Sequence, residues 1–160
     1  MVNKKRVFVL LYAALFFLLC PLTISYEKPL LSRGQTIYVP VYSSIYHGDK
    51  NRKWELAVTL SIRNTNINNS ILINLIDYYD SDGKKIKILI KQPQKLKPLE
   101  SRQIIINESD LSGGIGANFI VTWSSDKQVN PPLIESIMIG TRGQQGISFS
   151  ARGVVIQENL

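Results

Sequence analysis

In the stretch Trp54 to Asn64, Leu56, Val58, Leu60 and Ile62 alternate with Glu55, Thr59, Ser61 and Arg63. A period of two puts every apolar side chain on one face of an extended strand and every polar one on the other, and no helix can do this. The same alternation recurs in Ile37, Val39 and Val41, in Ile86, Ile88 and Ile90, and in Phe119, Val121 and Trp123. Ile71 to Tyr79, Arg102 to Glu108, Leu133 to Gly140 and Ile147 to Ile156 are denser in apolar or β-branched residues and read as further strands. After the first segment, no apolar stripe at helical spacing runs for ten residues or more. About eight short strands joined by turn-rich segments predict an all-β fold, an antiparallel sandwich of immunoglobulin-like kind, with a small β-barrel as the alternative. Pro40 removes a ladder donor, so its strand is expected at a sheet edge or with a bulge. Asp80-Ser81-Asp82-Gly83 reads as a hairpin turn, with Gly83 supplying the positive φ.

A chain of 160 residues holds one core of ordinary size. The reading assigns residues 35–160 to one sandwich domain, preceded by an extended leader over residues 26–34 that contains Pro29, Ser32 and Gly34. Residues 1–25 have the grammar of a secretory signal peptide: Lys4, Lys5 and Arg6, then the apolar run Val7 to Leu19, then Thr23 and Ser25 as small residues before a cleavage point. A retained membrane anchor is the alternative, because the charge-free stretch extends to Ile24, although Pro21 interrupts it. Lipidation of Cys20 is a third, opposed by Leu19 where such signals carry a small residue. Each places the domain outside the cytoplasm, in the periplasm or beyond, with membrane contact only through the N-terminal segment. Cys20 is the sole cysteine, so a cleaved chain has no disulfide, thiolate metal site or cysteine nucleophile.

The formal charge of +7 invites a nucleic-acid partner, but its position argues otherwise. Without Lys4, Lys5 and Arg6, the 19 bases fall to 16 against 12 acids, a surplus of four. The densest group, Lys84, Lys85, Lys87, Lys91, Lys95 and Lys97, falls on and just after one expected strand, where charges guard a sheet edge. No basic patch interleaved with stacking aromatics is found, and no nucleic-acid partner is expected.

If successive strands run antiparallel, alternate connections share an end of the sandwich. Ser43 to Lys53, Asp80 to Gly83, Ser109 to Gly116 and Thr141 to Gly146 then meet, and they bring Tyr46, His47, Asp49, Asp110, Ser112, Arg142, Gln144 and Gln145 to one candidate binding surface. The other end collects Pro93, Pro98, Pro131 and Pro132 and reads as turn punctuation. His47 beside Asp49 has the pattern of a base and its orienter, but no nucleophile accompanies it, and no catalytic residue is assigned. Ser112-Gly113-Gly114-Ile115-Gly116 lacks the Gly-x-Ser-x-Gly spacing of a hydrolase elbow, and no helix follows to receive a pyrophosphate. Asp80 and Asp82, with Asp77 nearby, are weak calcium candidates, because the run has only part of the calcium-loop spacing. No cofactor is expected. The segment Thr141 to Gly146 combines a cation, amides and flexible backbone suited to a carboxylate, a phosphate or a sugar, and equally suited to a plain hairpin loop.

Several segments resemble the bacterial domain-of-unknown-function family numbered 3124: Gly34 to Pro40, Ser44 to Asp49, Glu108-Ser109-Asp110 with Ser112-Gly113-Gly114, and Ile139-Gly140-Thr141 running into Gln144 to Phe149. The resemblance agrees with export and implies no activity, substrate or catalytic residue. The expectation is a non-catalytic binding or interaction domain of the cell envelope, with an envelope protein, a glycan or a small anion as partner. The alternative is an envelope enzyme acting on a carbohydrate or anionic small molecule through the loops of His47, Asp110 and Arg142, and a third reading is self-association through an exposed edge, the Pro40 strand.

Overall fold

The structure is a computed structural model that describes residues 30–159. The expected signal segment and residues 26–29 of the expected leader lie outside the described residues. Twelve strands form among the described residues: β1 (Ser32–Pro40), β2 (Ser44–His47), β3 (Arg52–Glu55), β4 (Ala57–Arg63), β5 (Ile71–Tyr79), β6 (Lys85–Ile88), β7 (Gln94–Leu96), β8 (Ser101–Ile106), β9 (Asn118–Val129), β10 (Leu133–Arg142), β11 (Gln145–Arg152) and β12 (Val154–Glu158). The first sheet has the order β12-β1-β9-β5-β6, with β7 also on β5; the second has the order β11-β10-β4-β8, and β2 and β3 form a separate hairpin. All pairings are antiparallel, and the sheets do not close into a barrel. β4 pairs with β8 in the second sheet and β5 with β9 in the first, so the chain crosses between the layers from β4 to β5 and again from β8 to β9, as connections do in immunoglobulin-like sandwiches.

Eight expected strands became twelve for local reasons. The stretch Trp54 to Asn64 divides at Leu56, a fully buried residue whose N–H donates to Ser43 O at 2.9 Å as the chain leaves the hairpin for the second sheet. The stretch Ile147 to Ile156 divides at Gly153, where the chain crosses from the second sheet to the first. Gly153 N–H donates to Ile134 O at 2.9 Å, and a Cβ there would lie 2.6 Å from Ile37 Cγ2. Only glycine lets the chain turn this close to both layers. The short β2 and β7 carry too few apolar residues to signal themselves.

The alternation that defined the strands becomes rows of facing core residues. Gln35, Trp123 and Ile73 align across β1, β9 and β5, as do Ile37, Val121 and Ile76, and Val39, Phe119 and Tyr78. The second sheet answers with Val58 opposite Met138 and Ile62 opposite Ile134, all buried. Removing such side chains from water supplies roughly 1.5–3 kcal/mol each, which sets the register of both sheets. The lysine-rich stretch falls on β6 and β7, which pair only with β5 and carry Lys85, Lys87 and Lys95 at that flank of the sheet.

β1 is an inner strand between β12 and β9, which corrects the proposal that the Pro40 strand offers an edge for self-association. The register of β1 with β12 shifts between Thr36 and Ile37, a bulge, and β12 begins opposite Tyr38, so it does not extend alongside Pro40. The next residue, Val41, donates to Ala117 O on the β9 side, so the donor missing at Pro40 points to the opposite side, where β12 does not reach. There Ser136 Oγ donates to Pro40 O at 2.5 Å. β1 also begins at Ser32, within the stretch expected as leader, because Ser32 and Gln35 both donate to the Glu158 carboxylate, at 2.8 and 2.6 Å, and fasten β12 to the start of β1.

Candidate functional site

The β2–β3 hairpin pairs Ile45 with Trp54 and His47 with Arg52, and turns through Gly48, Lys50 and Asn51, all at positive φ. Its last residues lead directly into β4, so the hairpin lies against β10. The approach is close: a Cβ on Gly140 would lie 2.6 Å from Glu55 O and 2.8 Å from Trp54 Nε1. The indole meets the His47 ring edge-on, with centroids 5.3 Å apart. Beside it the β10–β11 hairpin turns tightly through Gly143, at φ 62°, so that Arg142 pairs with Gln145.

Two neighbouring cavities result. One, of about 360 Å³, is lined by His47, Arg52, Trp54, Arg142 and Gln145; the other, of about 340 Å³, by Lys53, Trp54, Glu55, Glu108, Thr141 and Arg142. Trp54 and Arg142 belong to both. Among the described residues, the ion pairs are Arg63–Glu135, Lys85–Asp77 and Lys87–Asp110, so Arg52, Lys53 and Arg142 reach no carboxylate at bonding distance. Glu55 and Glu108 oppose Lys53 in the second cavity, whereas the first holds Arg52 and Arg142 beside the indole with no carboxylate in its lining, which makes it the anion-attracting one. His47 Nε2 and Trp54 Nε1 are buried and lack a hydrogen-bond partner among the described residues.

The other expected site residues are placed differently. Asp110 and Ser112 form a structural knot: Asp110 Oδ1 accepts from Ser112 N at 3.2 Å and from Ser112 Oγ at 2.5 Å, capping a 3-10 turn (Leu111–Gly113), while Oδ2 meets Lys87 Nζ at 2.5 Å. Ser81 Oγ donates to Gly113 O at 3.0 Å and accepts from Gly116 N at 2.9 Å, and Ser43 N donates to Gly114 O at 3.0 Å. The four loops therefore share one end, but only His47, Arg142 and Gln145 line the cleft. Tyr46 is 56% exposed on β2, and Asp49 and Gln144 are exposed at their turns.

Asp80 Oδ1 accepts the N–H groups of Asp82 and Lys84, at 3.0 and 2.8 Å, and so shapes its turn. Asp77 lies buried under Lys85, 2.6 Å from its ammonium. Among the described residues, no three histidine, cysteine or acidic side chains gather as a metal-holding group.

Arg52, Lys53 and Trp54 were missed as site residues. Trp54 has the parity of the core positions that follow it and reads as the start of a strand. Its one available signal was the Arg52-Lys53 pair ahead of it in a loop-like segment.

The Asp110 carboxyl is held below the ordinary carboxylate range, first by the Lys87 hydrogen bond and then by Ser112. A depressed folded-state value means that this contribution to stability is full above the ordinary aspartate range and is lost as pH falls through the folded value. Lys87→Met is expected to move the Asp110 carboxyl resonance midpoint upward in an NMR pH titration and to flatten the acid limb of stability. An unchanged midpoint would show that the contact does not persist in solution.

The fold and cleft define a two-layer antiparallel sandwich with a cleft at one end lined by Trp54, Arg52 and Arg142. Residues 34–156 match the family described as "Protein of unknown function (DUF3124)", and the chain belongs to that family. None of the curated proteins matches it. Among solved structures it is similar to the protein of "Crystal Structure of Thermotoga maritima 1070", at 14% identity and a TM-score of 0.45, over 80% of this chain and 97% of that one. Among the described residues, no helix is long and apolar enough to cross a membrane.

Proposed function

We propose that this chain is a non-catalytic, extracytoplasmic binding domain of the cell envelope that takes a carboxylate- or phosphate-bearing ligand in the Trp54 cleft. The observation that supports the reading is that Arg52 and Arg142 line one cavity with Trp54, with no carboxylate in that lining and no ion-pair partner for either among the described residues. Arginine's planar fork matches carboxylate and phosphate oxygens, and Gln145 adds an amide for a neutral oxygen. The signal grammar of residues 1–25 supports export. The enzymatic alternative needs His47, Asp110 and Arg142 to act together, whereas Asp110 is engaged by Lys87 and Ser112 and does not line the cleft.

The test is an NMR titration that follows the Trp54 indole N–H with phosphate, citrate and galacturonate. At least one anion is expected to shift that signal saturably, with affinity falling as salt rises. Arg142→Ala should weaken binding about tenfold or more, the loss of one charge-assisted contact of about 1.5 kcal/mol. An indole signal indifferent to every anion, or equal affinity in the variant, would refute the reading.

A further inference from the structure

A third cavity, larger than the two beside Trp54, lies at the opposite end of the sandwich, where the sequence offered only turn residues. It measures about 450 Å³ and falls in the size range of small-molecule sites. One wall is the loop before β5, with Asn68, Asn69 and Ser70. The other is the far end of β9, with Ser124, Ser125, Asp126 and Lys127. The floor follows from sheet register: Lys95 of β7, Leu72 of β5 and Ser124 of β9 stand side by side in one row.

The walls are fixed from beneath by a buried amide. Asn64, 2% exposed, donates through Nδ2 to Asn69 O at 2.9 Å, Lys97 O at 2.9 Å and Leu96 O at 3.3 Å, tying the loop to β7 and the segment after it. Asn66 Oδ1 then accepts the N–H groups of Asn68 and Asn69, at 3.0 and 2.7 Å. Across the floor, Ser125 Oγ donates to Ser70 O at 3.3 Å, and Asn74 Nδ2 donates to Ser124 Oγ at 2.9 Å. A cleft held this way loses little conformational entropy when a ligand enters.

Its lining is mainly hydroxyls and amides, which suit a polyol, with Ile71, Leu72 and the Asp126 carboxylate beside them and the ammonium-bearing Lys95 and Lys127 on either side. Neither Lys95 nor Lys127 takes part in an ion pair among the described residues, although Asp126 adjoins Lys127 in sequence. Lysine acts as a mobile point charge toward an anion, while hydroxyls and amides pair with ring hydroxyls in either sense.

We propose that this cleft is a second ligand site, independent of the Trp54 cleft, and that it takes a hydroxylated anion: a sugar bearing a phosphate ester or a carboxylate. Lys95 and Lys127 hold the charge, while Ser70, Ser124, Ser125 and the asparagine amides hold the hydroxyls. A chain with sites at both ends of one rigid sandwich can bridge two envelope components.

The experiment uses the full chain carrying Arg142→Ala, so that a ligand at the first cleft does not enter the readout. Glucose 6-phosphate, galacturonate and neutral glucose are titrated while the backbone amides of Ser70, Leu72, Ser124 and Ser125 are followed by NMR. One or both anions are expected to shift these amides saturably, and the doubly substituted Lys95→Gln, Lys127→Gln chain should bind at least about tenfold more weakly at an unchanged melting temperature. Response to glucose 6-phosphate alone would identify a phosphate ester as the recognised group, and response to galacturonate alone a uronic acid. The proposal is overturned if neither anion shifts the amides, if glucose binds as well as the anions, or if the lysine variant binds as the parent does.

Discussion

Gly113→Ala is expected to lower stability by about 3 kcal/mol, because the added methyl would overlap the Tyr78 hydroxyl and lie 2.7 Å from Tyr78 Cζ and 2.8 Å from Ala117 Cβ. Neither side can yield cheaply. Tyr78 is fully buried, packs on Phe119 with ring centroids 5.1 Å apart, and shares a 3.0 Å hydrogen bond with Ser43 Oγ. Gly113 is held by its carbonyl, which accepts from both Ser81 N and Ser81 Oγ, each at 3.0 Å. The cost therefore combines overpacking with a weakened buried hydrogen bond. Chemical denaturation measures it, and a double-mutant cycle with Tyr78→Phe locates it. Removing the hydroxyl makes room for the methyl, so the two changes together should cost about 1 kcal/mol less than their sum. Strict additivity would mean that the clash is relieved elsewhere.

Gly140→Ala should cost about 2 kcal/mol and disable the Trp54 cleft as well. Its methyl would meet Glu55 O at 2.6 Å, a backbone atom that cannot rotate away, together with Leu56 Cδ2 and Trp54 Nε1, both at 2.8 Å. Relief requires the β2–β3 hairpin to lift from β10, which carries Arg52, Lys53 and Trp54 away from Arg142. The expected result is a lower denaturation midpoint, a shifted Trp54 indole signal and weakened anion binding at that cleft. Gly146→Ala is the control. Its methyl would find nothing nearer than Thr141 Cγ2 at 3.8 Å, and it should change stability by no more than about 0.5 kcal/mol. Equal behaviour of the two variants would refute the packing of the hairpin on β10.

These two glycines show where reading by sequence stops. In the sequence, Gly113 is one member of a glycine-rich loop and Gly140 the last residue of a strand. The reason for each is a neighbour far along the chain: Tyr78 for the first, and Trp54, Glu55 and Leu56 for the second. Gly83 is different. Its positive φ serves a turn whose residues all lie within the same short segment, so its role was legible. The site divides in the same way. Arg142 and Gln145 were legible because a polar hairpin turn advertises itself, while Trp54 carried the parity of a core residue and concealed its role. Asp110 and Ser112 were legible as polar loop residues, yet their hydrogen bonds turn inward on the 3-10 turn and Lys87. Chemical type was visible in the chain, but its direction was not.

The amino-acid sequence by itself determined the all-β class, the positions of the long strands and the antiparallel sandwich, because period-two burial is a local property repeated along the chain. It also determined the lysine-guarded flank, since edge protection is a matter of composition. The tertiary structure decided which strands break, at Leu56 and Gly153, because a break marks the point where the chain changes layers and that depends on what stands across the core. It decided that β1 lies inside its sheet, because strand order arises from pairings between residues as distant as Gln35 and Glu158. It also formed both clefts, whose walls come from segments that meet only after the two sheets have packed.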